Sequence, residues 1–190
     1  MHDILLVDDH KIMRDGIRAI LKVSGEFNVV AEADSGLDAV TMTRSFKPQL
    51  VLMDIHLPGL NGIEATVEIL RYNPETRVVI LSMYEDENSV VQAIRSGARA
   101  FVLKKASDLD LLDALRTVAR GGSYLSPQVS DKFHNRVQRG DLNERKSTSA
   151  LDSLTPREKQ VMRMVAEGKT SKEIAILLDL GLQTVRGYRK

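Results

Sequence analysis

The chain has 190 residues, enough for one full α/β domain and a smaller one, and its 27 basic and 26 acidic side chains give a net charge of only +1. It has no cysteine, which excludes disulfides and thiolate metal sites, and no leader or long apolar run, so we expect a soluble, cytoplasmic protein without a membrane partner. Residues 1–121 carry 14 basic and 18 acidic side chains (net −4), whereas residues 154–190 carry 8 and 4 (net +4), which hints at nucleic-acid contact but also fits a solvated basic surface.

Five short apolar runs rich in β-branched residues alternate with stretches of helical periodicity in the first part of the chain. The runs are Ile4–Val7, Phe27–Ala33, Leu50–Met53, Arg77–Met83 and Ala100–Leu103. This alternation predicts parallel strands joined by right-handed helical crossovers, with helices on both faces of the sheet. We therefore predict a doubly wound α/β domain over residues 1–121, with a flavodoxin-like, five-stranded parallel sheet of order 2-1-3-4-5.

The remaining chain divides into a linker and a small helical domain. Residues 122–153 contain Pro127 and end in a polar run, so we predict a linker that is partly helical before Arg139. Residues 154–190 have purely helical periodicity, with a turn at Gly168 and a second turn further on. Short helices separated by turns predict a small all-α helix-turn-helix domain.

Polar side chains follow four of the predicted strands. Asp8 and Asp9 follow the first strand and Asp54 follows the third, so these carboxylates converge if the two strands are neighbours. Their mutual repulsion requires a cation, and oxygen ligands with room for water and phosphate favour Mg²⁺. Ser82 near the end of the fourth strand and Lys104 after the fifth can hold phosphoryl oxygens at the same edge.

Such a group of residues can carry a phosphoryl group. A carboxylate can attack phosphorus to give an acyl phosphate when metal and cationic side chains neutralise the incoming charge. Asp54 is the predicted nucleophile, with Asp8 and Asp9 as metal ligands. Each residue alone also fits a helix cap, a turn or a solvated side chain, but suitable groups at the ends of four strands favour the functional interpretation.

The motifs around these residues resemble the receiver domain of two-component response regulators over residues 1–120. They are Leu-Leu-Val-Asp8-Asp9-His, Met-Asp54-Ile-His-Leu-Pro58-Gly59, Leu-Ser82-Met and Phe101-Val-Leu-Lys104. The resemblance implies that a sensor histidine kinase phosphorylates Asp54, and that Ser82 and Phe101 form a switch pair. It also implies that Mg²⁺ binds to Asp8, Asp9, Asp54 and the backbone carbonyl of His56. Lys105 stands where many relatives have proline, so the cis or trans state of the Lys104–Lys105 bond is left open.

The tail resembles the LuxR-type helix-turn-helix. Its motifs are Leu154-Thr-Pro-Arg-Glu158, Glu167-Gly168, Lys172-Glu173-Ile174-Ala175 and Thr184-Val185. The two resemblances together imply a transcription regulator of the NarL/FixJ class that binds promoter DNA and forms a homodimer on phosphorylation. The candidate DNA contacts are Gln183, Thr184, Arg186, Gly187 and Lys190.

Other interpretations of the tail and of the whole chain stay open. Cations also favour helix C-termini, so the basic helix end is explained without DNA. Family members continue beyond Lys190, so we expect the helix-turn-helix domain to be incomplete, and impaired DNA binding stays open as an alternative. The alternatives are therefore an interaction module that does not bind DNA, or an aspartyl phosphohydrolase. We expect that the chain is not an enzyme. The nucleophile motif Asp-x-Asp of such phosphohydrolases is missing, because Asp54 is followed by Ile55 and His56 and so lacks the second aspartate.

Overall fold

The computed structural model describes residues 1–130, 156–166, 168–178 and 180–188. The chain divides into two units, Met1–Leu142 and Asn143–Lys190. Residues 131–153 of the predicted linker lie outside the described residues, so the linker boundaries stay a prediction. None of the described helices has the length and the hydropathy that a membrane span requires.

A parallel sheet forms the centre of the first unit. Its strands are β1 (His2–Val7), β2 (Phe27–Ala33), β3 (Leu50–Asp54), β4 (Arg77–Ser82), β5 (Ala100–Leu103) and β6 (Tyr124–Leu125). The strand order is β2-β1-β3-β4-β5-β6, and every neighbouring pair is parallel. The predicted order 2-1-3-4-5 is confirmed for the first five strands, and β1 lies beside β3 as expected.

The sixth strand corrects the predicted five-stranded sheet. Tyr124 and Leu125 pair with Ala100 and Phe101 of β5, in a segment that we predicted to be a linker. A helical turn follows at residues 127–130. The sequence conceals this strand because a two-residue strand shows no alternation of apolar and polar side chains and here follows a Gly-Gly-Ser sequence.

Five helices cover the two faces of this sheet. They are α1 (Lys11–Ser24), α2 (Gly36–Phe46), α3 (Gly62–Tyr72), α4 (Glu87–Arg95) and α5 (Asp108–Ala119). Buried residues of α1 and α5 share one apolar cluster with the sheet, and those of α2, α3 and α4 share the other. The side chains of Ser35, Asn61 and Ser107 cap α2, α3 and α5, which fixes where these helices begin. The predicted doubly wound architecture is confirmed.

The described part of the second unit is helical. It contains α6 (Pro156–Ala166), α7 (Ser171–Leu177) and α8 (Leu182–Tyr188). Gly168 follows α6 with a positive φ of 81°, which glycine adopts without strain. Thr170 and Glu173 form a capping box at the start of α7. A small core joins the three helices and consists of Val161, Ile174, Ala175, Leu178 and Val185.

Candidate phosphorylation site

The structure brings Asp8, Asp54 and Lys104 into direct contact at the carboxyl ends of β1, β3 and β5. The Lys104 Nζ atom lies 2.6 Å from Asp8 Oδ2 and 2.9 Å from Asp54 Oδ2. All three side chains are almost fully buried, with exposed fractions of 0% for Asp8, 2% for Asp54 and 4% for Lys104. One cation therefore bridges two buried anions, and these three groups together carry one excess negative charge.

Burial and charge act in opposite directions on the two partners of this bridge. Burial raises the pKa of the Asp54 carboxyl above its ordinary value, and the negative charge of Asp8 adds to that rise. The hydrogen bond and the positive charge of Lys104 oppose this shift without cancelling it. Burial by itself lowers the Lys104 pKa, but hydrogen bonds with Asp8 and Asp54 outweigh it and the pKa is raised. A positive charge on Lys104 is thus favoured at neutral pH.

Asp54 Oδ1 and Asp8 Oδ2 are the carboxylate oxygens of the site that a further cation could bind. Both oxygens are buried. Asp54 Oδ1 has no hydrogen-bond partner among the described residues, and Asp8 Oδ2 is contacted by the Lys104 ammonium group. A buried carboxylate oxygen without a partner is costly. An oxygen-rich donor set with excess negative charge suits Mg²⁺, and Asp8, Asp9 and Asp54 fit that ion.

His10 belongs to the same cluster and was not among the predicted site residues. One donor atom from each of Asp8, Asp9, His10 and Asp54 lies within 4.8 Å of every other. The His10 Nδ1 atom is 2.6 Å from Asp9 Oδ1, and the His10 backbone N–H donates to Asp8 Oδ1 at 2.9 Å. The only sequence signal was that His10 directly follows Asp9. Its backbone N–H holds the Asp8 carboxylate while its ring reaches Asp9.

The loop after β3 contributes backbone groups to the site. The His56 backbone N–H lies beside the Asp54 carboxyl and lowers the pKa of that group. The His56 ring packs edge-on against Tyr84, with ring centres 5.7 Å apart. The contact joins the loops that follow β3 and β4. Coordination of a metal by the His56 carbonyl stays a prediction.

Gly62 is a second residue that the sequence analysis missed. It begins α3, and its backbone N–H donates to Ile55 O at 2.9 Å. A Cβ atom at this position would collide with the carbonyl oxygen of Asp54. Glycine is therefore required because the first turn of α3 lies directly against the backbone of Asp54.

Ser82 and Phe101 are both buried, and neither side chain makes a hydrogen bond with the side chains of Asp8, Asp54 or Lys104. Ser82 Oγ donates to the Tyr84 carbonyl at 2.8 Å and accepts from the Tyr84 backbone N–H at 3.0 Å. The Phe101 ring is fully buried in the apolar cluster beneath α4. Their action as a switch pair stays a prediction, and Ser82 must exchange its bonds with Tyr84 to reach a phosphoryl group.

The residue after Lys104 is held apart from the bridge. The peptide bond between Lys104 and Lys105 is trans, since the described residues contain no cis peptide bond. The Lys105 side chain is 61% exposed and its Nζ atom lies 3.4 Å from Glu85 Oε1. The two adjacent lysines therefore have different environments, one buried among carboxylates and one paired at the surface.

Four of the five predicted DNA contacts fall on α8. Gln183, Thr184 and Gly187 are exposed, whereas Val185 is fully buried in the core of the second unit. Arg186 lies within the helix, and Lys190 lies outside the described residues. One face of α8 thus packs in the core. The predicted DNA contacts Gln183, Thr184 and Gly187 lie on the exposed face.

Comparison with known proteins identifies both units. Residues 4–116 match the family described as response regulator receiver domain, and residues 152–190 match the bacterial regulatory proteins of the luxR family. The transcriptional regulatory protein DegU of Brevibacillus brevis is 32% identical over 199 residues, an alignment that covers 97% of this chain and 83% of DegU. The response regulator protein VraR of Staphylococcus epidermidis is 34% identical over 185 residues, covering 97% and 85% of the two chains.

A solved structure agrees with these matches. The LuxR-family two-component response regulator from Aurantimonas has a TM-score of 0.70 and 31% identity, over 73% of this chain and 99% of that one. The chain therefore belongs to the response regulators. It combines a receiver domain with a LuxR-type DNA-binding domain, as the sequence motifs predicted, and is homologous to transcription regulators such as DegU.

Proposed function

We propose that Asp54 is the phosphoacceptor of this response regulator and that a sensor histidine kinase is the donor. The observation that carries the proposal is the bridge in which Lys104 holds Asp54 Oδ2 while Asp54 Oδ1 is left without a hydrogen-bond partner. One carboxylate oxygen is thereby fixed by a cation, and the other is free to form a bond. This division of roles is what a carboxylate nucleophile requires.

The transfer exchanges one bond to phosphorus for another. The Asp54 oxygen forms a bond to phosphorus while the bond from phosphorus to the kinase histidine nitrogen breaks, and the electron pair of that bond stays on the imidazole, which takes up a proton. The negative charge on the phosphoryl oxygens develops beside the Lys104 ammonium group. Lys104 contacts Asp8 as well as Asp54, so it can shift between carboxylate and phosphoryl oxygens without leaving the site.

Mg²⁺ is the proposed cofactor, held by Asp8, Asp9 and Asp54 with the His56 carbonyl. When bound, it supplies the positive charge that neutralises the phosphoryl oxygens during transfer. The chain's own residues perform the other tasks. The His10 backbone N–H orients the Asp8 carboxylate, Lys104 orients that of Asp54, and burial of both carboxylates keeps competing water away.

The proposed output is control of promoter DNA binding, with phosphorylation favouring a homodimer. The exposed position of Gln183 and Thr184 on α8 supports this proposal, because the buried Val185 anchors the other face of the helix in the core of the second unit. Two copies would present two such helices to DNA at a fixed spacing. Arg186 and Gly187 remain proposed contacts, and Lys190 is proposed from the sequence alone.

Acetyl phosphate provides the first test. We expect Mg²⁺-dependent incorporation of one phosphoryl group per chain, measured by intact mass, and its loss in Asp54→Ala. Asp34→Ala is a matched control, since Asp34 follows β2 at the same edge of the sheet but is exposed. Incorporation that persists in Asp54→Ala would refute the assignment. Repeated turnover of a small phosphate ester would instead indicate a phosphohydrolase.

A gel-shift titration provides the second test. The probe is a DNA fragment from upstream of the gene that encodes the chain. We expect phosphorylation to strengthen binding to this fragment, and the affinity to fall as the salt concentration rises. Gln183→Ala should weaken binding, whereas Lys172→Ala, an exposed change on α7, tests the general effect of surface charge. Phosphorylation without any DNA binding would favour an interaction module.

A further inference from the structure

The segment of residues 124–130, called here the edge segment, is hydrogen-bonded to β5 and to the residue before it through Tyr124 and Ser126. The Tyr124 N–H donates to Arg99 O at 3.1 Å, and the Ser126 N–H donates to Phe101 O at 3.0 Å. In the opposite direction, the Leu103 N–H donates to the Ser126 hydroxyl oxygen at 3.2 Å. Beyond the end of the β5–β6 pairing, the Ser126 side chain therefore accepts the next backbone hydrogen bond from β5.

Ser126 is a buried polar residue that takes no part in the proposed phosphorylation chemistry. Its exposed fraction is 1%, as is that of Val129 three residues later. Val129 lies in the same apolar cluster as Phe101 and Leu103. The edge segment thus contacts β5 both through its backbone and through a side chain in the core beneath α4.

The part of β5 that Ser126 holds connects directly to the phosphorylation site. Lys104 follows Leu103, and its backbone N–H donates to Ser82 O at 2.8 Å. Between Phe101 and Lys104, the backbone is bonded to β4 on one side and to Ser126 on the other. The Lys104 ammonium group that contacts Asp54 is therefore one residue away from the peptide N–H that Ser126 accepts.

We propose that Ser126 is a positioning residue that transmits phosphorylation of Asp54 to the edge segment, and so to the chain that continues into the DNA-binding domain. The proposal rests on Asp54 being the phosphoacceptor. Phosphorylation adds roughly 1.5 to 2 negative charges. These charges attract the Lys104 ammonium group, and the movement of Lys104 displaces the backbone of the preceding residue, Leu103. A hydrogen bond of 3.2 Å is at the long end of the normal range, so a small displacement breaks it.

A purely structural role for Ser126 makes a different prediction. Ser126 O also accepts the N–H groups of Val129 and Ser130, which starts the helical turn after β6. Ser126→Ala keeps that carbonyl. If the hydroxyl served only to satisfy the buried Leu103 N–H, its loss would reduce stability but would leave the response to phosphorylation unchanged. The two roles are separated by comparing the phosphorylated and unphosphorylated states of the same variant.

Amide hydrogen exchange of the full chain, with and without acetyl phosphate and Mg²⁺, tests the proposal. In the wild type we expect phosphorylation to change exchange at the Leu103 and Ser126 amides by about threefold or more. In Ser126→Ala we expect incorporation of the phosphoryl group to stay within about twofold of wild type, while the amides of residues 128–130, which we expect to respond to phosphorylation in the wild type, lose that response. Ser130→Ala, an exposed serine in the same turn, should retain it.

Each result has a distinct meaning. Phosphorylation at Asp54 without a change at Leu103 and Ser126 in the wild type overturns this inference and leaves the phosphoacceptor assignment intact. A full response in Ser126→Ala also overturns it. Absence of any phosphorylation refutes the assignment of Asp54 and the inference together. The wild-type comparison decides the matter even if Ser126→Ala does not fold.

Discussion

Replacement of Lys104 by methionine tests whether one buried cation holds the receiver site together. The change keeps a similar length but leaves Asp8 and Asp54 buried at 0% and 2% exposure without the ammonium group that lies within 3 Å of both. Removing one partner of a buried ion pair costs about 3–5 kcal/mol. Because domains of this size are stable by only about 5–15 kcal/mol, this loss is a large fraction of the free energy of unfolding.

The size of this effect should depend on pH in a definite direction. The pKa of Asp54 is raised in the folded protein, so its charging opposes folding. That penalty shrinks as the pH falls through the folded pKa and is gone below the ordinary pKa of 3.8. Loss of Lys104 removes the group that restrains this rise. We therefore expect the stability difference between Lys104→Met and wild type to narrow as the pH is lowered from 7.

Urea denaturation followed by far-ultraviolet circular dichroism, with a separate transition fitted to each unit, measures the difference. Lys105→Met is the matched control: its side chain is 61% exposed, so we expect a loss below about 1 kcal/mol. Mg²⁺ should stabilise Lys104→Met more than wild type, because the ion no longer competes with the ammonium group. The reasoning would be refuted if Lys104→Met and Lys105→Met lost equal free energies of unfolding. It would also be refuted if the stability difference between Lys104→Met and wild type were constant with pH.

Three further predictions concern positions outside the bridge. Gly62→Ala should destabilise the receiver by about 1–3 kcal/mol and slow phosphorylation, since the added Cβ meets the Asp54 backbone; urea denaturation and phosphorylation rates measure both effects, and unchanged rates would contradict the proposed fit. Thr170→Ala should cost the second unit about 1 kcal/mol through loss of the α7 cap, visible as a lower melting temperature of that unit alone. The Glu26–Arg116 pair lowers the Glu26 pKa, so its contribution is present above the ordinary pKa of 4.5 and is lost as the pH falls through the folded pKa; Arg116→Met should thus matter less in acid than at pH 7, by the same denaturation assay.

The architecture could be predicted from the sequence because strand and helix periods alternate regularly along residues 1–121. The strand bounds that we predicted differ from the observed ones by at most two residues, as at His2 where β1 begins. The convergence of Asp8 and Asp54 followed from the position of each at a strand end, together with the strand order. Such reasoning places residues at an edge of the sheet but says nothing of their hydrogen-bond partners.

What the sequence did not show depends on distances between side chains. Periodicity cannot reveal that Ser82 bonds to the Tyr84 backbone and not to the bridge. The role of Gly62 depends on the approach of α3 to β3, which is a contact between backbones. His10 was overlooked because a histidine at a helix start has several ordinary roles, and β6 because two residues are too few to show a pattern.

The two edges of the sheet restrict how copies of the receiver can associate. At one edge, β6 offers only two residues before Pro127, which has no backbone N–H to donate to another strand. At the other edge, Glu32 of β2 is paired with Arg14 and Arg18 of α1, which places charge along that strand. Neither edge is suited to continue the sheet into a neighbouring molecule. If two copies of this receiver form a dimer, we therefore expect them to associate through their helices, without hydrogen bonds between the two sheets.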